Sequence, residues 1–121
     1  MTGCFDTNIV IDLLAAYPPA LAEARKYAEV GISRITWVEV LVGAPVAPTQ
    51  QRWEAFLARF RLVEMDEAVC REAIGLRKQQ QLKLPDALIF ASARHHGCPL
   101  VTRNTRDFPP GTPGVRVPYT R

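Results

Sequence analysis

Four acids in this chain, Asp6, Glu39, Asp86 and Asp107, stand at positions where oxygen chemistry is possible. Each has an ordinary structural explanation. Asp6 serves as a turn residue, Glu39 as the far half of a capping box begun by Thr36, Asp86 as a favourable charge at a helix N-terminus, and Asp107 as a solvated loop acid. Taken together they point elsewhere. Carboxylates brought close repel and raise one another's pKa unless a cation neutralises them. Hard oxygen donors with no cysteine or histidine among them suit Mg²⁺ or Mn²⁺.

The elements that carry these acids follow from the hydrophobic pattern. Gly3-Cys4-Phe5 reads as a short strand running into Asp6. A helix follows with Ile9, Val10, Leu13 and Leu14 on one face, capped by Thr7 or Asn8. Pro18-Pro19 opens a second helix from Ala20 to about Glu29, and Val30-Gly31 reads as a turn. Ile32 to Thr36 alternates as a strand. Thr36 then opens a helix through Glu39 that Gly43 closes. Thr49 to Phe60 is amphipathic, with Trp53, Phe56, Leu57 and Phe60 on one face. Leu62 to Met65 is a strand, and Asp66 caps a helix from Glu67 to about Gln80. Pro85 starts a largely apolar helix, Asp86 to His96, that Gly97 ends. Leu100-Val101 is a buried strand, Arg103 to Phe108 a polar turn, and Val115 to Val117 a last strand that Pro118 consigns to an edge.

Strands alternating with helices predict one α/β domain over residues 1–121. Its form is a three-layer fold with a parallel sheet of four to five strands and helices on both faces. Ligands of such sheets bind outside the carboxyl ends of the strands. Asp6, Asp86 and Asp107 are expected to point to that edge, with Glu39 in reach.

Composition excludes several classes. The chain has 121 residues, 48% hydrophobic and 22% charged, which is globular rather than disordered. No apolar run approaches the roughly 20 residues of a membrane span, and the N-terminus does not read as a signal peptide. Cys4, Cys70 and Cys98 form no CxxC pair, so zinc and redox motifs find no support and the expected compartment is the cytoplasm. The net charge is +3 and arginine dominates it. Arg34, Arg103 and Arg106 lie near the expected cleft, and a negative metal site within a positive surround suits a phosphodiester.

The chain resembles the PIN-domain family, and within it the VapC-type toxins of toxin–antitoxin pairs. The resemblance rests on Phe5-Asp6-Thr7-Asn8 with Ile9 to Leu14, on Thr36 to Gly43, on Leu84-Pro85-Asp86-Ala87-Leu88-Ile89, and on Leu100 to Phe108, in that order. It implies a PIN-like fold and a Mg²⁺- or Mn²⁺-dependent endoribonuclease, with Asp6, Glu39 and Asp86 as metal-site acids. In many relatives a further acid stands where this chain has Asn104, and in others where it has Asp107. Asp107 is the expected fourth acid, while Thr7 and Asn104 hold ligands or water and Arg34, Arg103 and Arg106 meet RNA. The resemblance also implies a homodimer and a VapB-like antitoxin. The antitoxin's C-terminal segment is expected to cross a groove walled by Ala20 to Glu29 and by Trp37 to Gly43, where Trp37, Val38 and Leu41 are partly exposed.

Rival functions fare worse. A phospho-receiver domain needs an acidic pair after its first strand and a lysine after its last, and Asp6 has no acidic neighbour. A dinucleotide or P-loop site lacks its glycine-rich loop. His95 and His96 adjoin on one helix and diverge by about 100°, which disfavours a histidine ribonuclease. The remaining alternative is a PIN fold that binds RNA with little or no hydrolysis.

Overall fold

In a computed structural model the fold is described for residues 1–121. The elements in chain order are β1 (Thr2–Phe5), α1 (Thr7–Leu14), α2 (Pro18–Ala24), β2 (Glu29–Ser33), α3 (Arg34–Val42), α4 (Thr49–Leu57), β3 (Arg61–Val63), α5 (Glu67–Gln80), α6 (Leu84–His95), β4 (Leu100–Val101) and β5 (Val115–Arg116). The five strands form one sheet in the order β3-β2-β1-β4-β5, and every pair is parallel. The expected three-layer α/β architecture is therefore present, and β5 lies at an edge. No helix is long and apolar enough to cross a membrane.

Strand alternation divides the core in two. Cys4 and Leu100, partners across β1 and β4, face α5 and α6 with Val69, Leu76, Ile89 and Phe90. Phe5 and Val101, the next pair along, face the other way with Ile9, Val10, Ile32 and Val40. Fully burying a side chain such as Phe5 or Phe90 contributes about 1.5–3 kcal/mol. Phe108 is buried against Phe90, ring centroids 5.3 Å apart, so the loop after β4 is pinned to the core at its far end.

Several expected boundaries move. The second helix stops at Ala24 rather than near Glu29, and Val30-Gly31 lies inside β2 rather than in a turn. Pairing with β1 causes this: Thr2, Gly3 and Cys4 register with Glu29, Val30 and Gly31. Tyr27 packs over Gly3, where an added Cβ would meet its ring at 2.8 Å. The strand then ends at Ser33, so Arg34 begins α3 instead of lying in a strand. Ser33, not Thr36, is the cap, its Oγ accepting from the Thr36 amide at 3.1 Å. Asp6, rather than Thr7 or Asn8, caps α1. Helix α4 ends at Leu57, although Phe60 still packs on Phe56, and β3 stops at Val63 short of Met65.

Candidate metal centre

Asp6 leaves the carboxyl end of β1 with its side chain 4% exposed. It satisfies its oxygens with neutral donors. The Thr7 amide donates to Oδ1 at 2.7 Å, and the Thr102 hydroxyl and Asn8 amide donate to Oδ2 at 2.7 and 3.3 Å. Burial nevertheless pushes its pKa up, and nearby Glu39 adds to the rise against those hydrogen bonds.

Glu39, on the second turn of α3, is joined to α1 by a line of hydroxyls. Ser33 Oγ lies 3.3 Å from Thr36 Oγ1, which lies 3.1 Å from Thr7 Oγ1. Thr7 in turn donates to Glu39 Oε1 at 2.6 Å. Each hydroxyl has one proton, so donation runs in a single direction, Ser33 to Thr36 to Thr7 to Glu39. Thr36 is fully buried, and its hydroxyl is satisfied within this line.

Asp86 sits in the first turn of α6. Partial burial, with the neighbouring charges of Asp6, Asp107 and Glu39, pushes its carboxyl up to about 6. Asp107 goes the other way. The Asn104 amide donates to its Oδ2 at 2.9 Å and holds it below the usual carboxylate range, aided by Asp86, Lys83 and Arg106. Asp86 and Asp107 act on each other in opposite senses, the first raised and the second lowered. Asn104 also accepts from the Asp107 amide at 3.2 Å, so the two residues cap each other across one turn.

Asp86 thus feels the charges of Asp6, Glu39 and Asp107, and Asp6 that of Glu39, with Thr7 and Asn104 beside them. None of the four forms an ion pair with lysine or arginine. No three of these side chains gather about a single point; Thr7 binds Glu39 and Asn104 binds Asp107. The donor set still fits a hard divalent cation in kind: oxygen ligands that no lysine or arginine of the chain pairs.

The arginines differ among themselves. Arg34 binds Glu64 through Nε and Nη2 at 3.1 and 2.6 Å and lies over the Trp37 ring. Arg103 turns to Asp12, with Nε 2.8 Å from Oδ2. Arg106 is exposed. The sequence alone gives no site role to Thr102, Lys83 or Asp12, and to Asn8 only that of a helix cap. Thr102 had a usable signal, being a hydroxyl at the end of β4 beside Asp6. Asp12 had another, an acid beside the apolar stripe of Ile9 and Leu13. Val38 is exposed, while Trp37 and Leu41 are half-buried.

A family model described as PIN domain matches residues 3–109. No curated protein matches the chain. Among solved structures, a toxin–antitoxin complex from Klebsiella pneumoniae is similar at a TM-score of 0.91 and 40% identity, covering 98% of this chain and 99% of that one. DNA-bound VapBC from Salmonella typhimurium is similar at a TM-score of 0.77 and 22% identity over 96% of each chain. VapBC-1 from nontypeable Haemophilus influenzae is similar at a TM-score of 0.72 and 24% identity, over 89% of this chain and 90% of that one. At such identities the last two speak to the fold alone. With its parallel sheet, its carboxylates at the strand ends and a family match over most of its length, the chain belongs to the PIN-domain family.

Proposed function

We propose that this chain is a Mg²⁺- or Mn²⁺-dependent endoribonuclease of the VapC type, the toxin of a toxin–antitoxin pair acting in the cytoplasm. The observation that carries the proposal is a set of carboxylates at the sheet edge, Asp6, Glu39, Asp86 and Asp107, that no lysine or arginine pairs. The likeness to the Klebsiella pneumoniae toxin–antitoxin complex supports it.

Asp6, Asp86 and Asp107 would hold the metal, with Glu39 helping. When bound, the ion supplies Lewis acidity toward the scissile phosphate and lowers the pKa of water. Asp6 is held in place by Thr7 and Thr102. Asp86, raised to about 6 by partial burial and its acidic neighbours, would offer its carboxylate to the cation. Glu39 keeps Oε2 outside the Thr7 bond, and this oxygen accepts the proton of the attacking water. Arg106 is free to meet a flanking phosphate, and Arg34 meets one by leaving Glu64. Attack by water rather than a ribose hydroxyl leaves a 5′-phosphate and a 3′-hydroxyl.

A partner antitoxin and a second copy of the chain belong to the same proposal. A cleft of about 540 Å³ between α1, α2, β2 and α4, lined by Leu13, Leu21, Ala24, Phe56 and Phe60, supports an apolar partner segment.

The test is cleavage of single-stranded and looped RNA by the purified chain. Cleavage is expected with Mg²⁺ or Mn²⁺ and not in EDTA, and Asp6→Asn and Asp86→Asn are expected to abolish it in a folded protein. Full activity in excess EDTA overturns the metal mechanism. RNA binding without cleavage under every metal condition would instead show a binding protein. Expression alone is expected to arrest growth, with relief by the antitoxin; harmless high-level expression contradicts the toxin role.

A further inference from the structure

We infer that Asp12 is a positioning residue for the candidate centre: through Arg103 it fixes the segment Thr102–Phe108 that carries Asn104 and Asp107, and Tyr119 and Arg121 complete the clamp. The inference rests on the reading of that sheet edge as a metal centre.

Asp12 lies in the body of α1 and is 1% exposed. Four donors converge on its two oxygens. Arg121 Nη1 and Arg103 Nη2 reach Oδ1 at 2.7 and 3.4 Å; Arg103 Nε and the Tyr119 hydroxyl reach Oδ2 at 2.8 and 2.7 Å. The segment after β5 is thereby tied to the same carboxylate as Arg103. Tyr119 packs edge-on against Tyr17 with ring centroids 5.4 Å apart, and the Arg121 guanidinium lies 4.1 Å over the same ring.

The other end of the clamp is the site loop. The Arg103 amide donates to Asn8 Oδ1 at 3.2 Å, while Asn8 Nδ2 donates to Asp6 Oδ2 and to Thr102 Oγ1. Arg103 is thus tied to α1 by backbone and side chain together. The next residue, Asn104, donates its amide to Thr102 Oγ1 at 3.0 Å and holds Asp107 with its side chain. Phe108 closes the segment in the core. An unbroken line of contacts runs from Asp12 to Asp107. A planar fork engaged through Nε and Nη2 fixes direction as well as distance, which an ammonium does not. The competing role for Arg103 is a phosphate contact, and the two roles are separable because a lysine serves the second but not the first.

The experiment has two readouts. In metal-free protein, amide hydrogen exchange at Arg103, Asp107 and Phe108 is expected to quicken about tenfold or more in Asp12→Asn and in Arg103→Lys, while amides of β1 keep their protection. Mn²⁺ affinity, by titration calorimetry, is expected to fall about tenfold in the same variants. In metal-free RNA binding, the salt dependence of Arg103→Gln is expected to match wild type, while Arg106→Gln flattens it by about one counterion. Unchanged loop protection, or protection lost evenly through the whole chain, overturns the inference. So does an Arg103→Gln variant that flattens the salt dependence while Arg103→Lys restores it. Should Asp12→Asn fail to fold, Arg103→Lys opens the clamp from the solvent side and decides on the same amides. A wild-type chain that binds no Mn²⁺ defeats the proposed function, whereas the exchange data judge the clamp independently.

Discussion

Asp6 and Asp12 stand on the same helix, one at its cap and one in its body, and both are almost wholly buried. Their surroundings differ in one respect. Asp12 receives two arginines and a tyrosine. Burial pushes its carboxyl up, but these donors outweigh burial and hold it below the ordinary range. Asp6 receives only neutral donors, and there burial prevails and the pKa rises. Glu23 repeats the first pattern, with burial outweighed by Arg116, Tyr27 and Lys26 so that its carboxyl falls to about 2. Asp86 repeats the second and rises to about 6. A buried acid that the chain has itself neutralised is a structural part. One left without a counter-charge at a ligand-binding sheet edge is suited to a cation from outside.

The contrast is most severely tested by removing Asp12. Asp12→Ala strands Arg103 and the Tyr119 hydroxyl, and is expected to lower the unfolding free energy by about 2–4 kcal/mol in urea, the lower part of the range reflecting partly exposed partners. A loss within error of zero would show the clamp to be ornamental. Next in size is a pH effect with opposite signs in the two regions. Asp86 has its folded pKa raised from 3.8 to about 6, so its contribution is full below 3.8 and is lost as pH rises through 6. For metal-free protein this is about 1–2 kcal/mol, after discounting for solvent screening of a partly exposed carboxyl. Glu23, lowered from 4.5, contributes fully above 4.5 and loses its contribution as pH falls toward 2. Stability curves from pH 3 to 8 check both, with Asp86→Asn expected to flatten the upper limb only.

Asp6→Asn removes a buried, unneutralised charge at the cost of one of the two acceptor oxygens that Thr7 and Thr102 use. A gain of about 1 kcal/mol in metal-free stability is expected, and a large loss would place Asp6 with Asp12. The smallest expected difference separates Asp107 from Asn104. Asp107→Asn is expected to weaken Mn²⁺ binding about tenfold, and Asn104→Ala less, because only Asp107 brings charge. Mn²⁺ titration and RNA cleavage measured together check the ranking, and the reverse order would reassign the fourth ligand.

How much of this was legible in the sequence follows from how far apart the partners are. Alternating strands and helices marked the parallel sheet, and acids just past the apolar runs marked its binding edge, because both signals are local. Asp6, Glu39, Asp86 and Asp107 could therefore be nominated together, although the hydrogen bonds that Thr7, Thr102 and Asn104 make to them could not. The clamp on Asp12 was out of reach: Arg103, Tyr119 and Arg121 lie 91 to 109 residues further along the chain. The start of α3 was misplaced for a different reason. Ser33 and Thr36 both suit a cap, and the register of β2 with β3, which keeps Ser33 in the strand opposite Val63, decides for Ser33. Gly31 misled in the same way, since glycine suits a turn and also a strand packed closely on its neighbour.

The most direct test compares unfolding of wild type and Asp6→Asn in EDTA and in Mn²⁺ at about 100 times its dissociation constant. Wild type is expected to gain about 2.7 kcal/mol from the metal, and Asp6→Asn to gain much less. Identical wild-type curves with and without Mn²⁺, or an equal gain in Asp6→Asn, would contradict the assignment of these carboxylates to a cation.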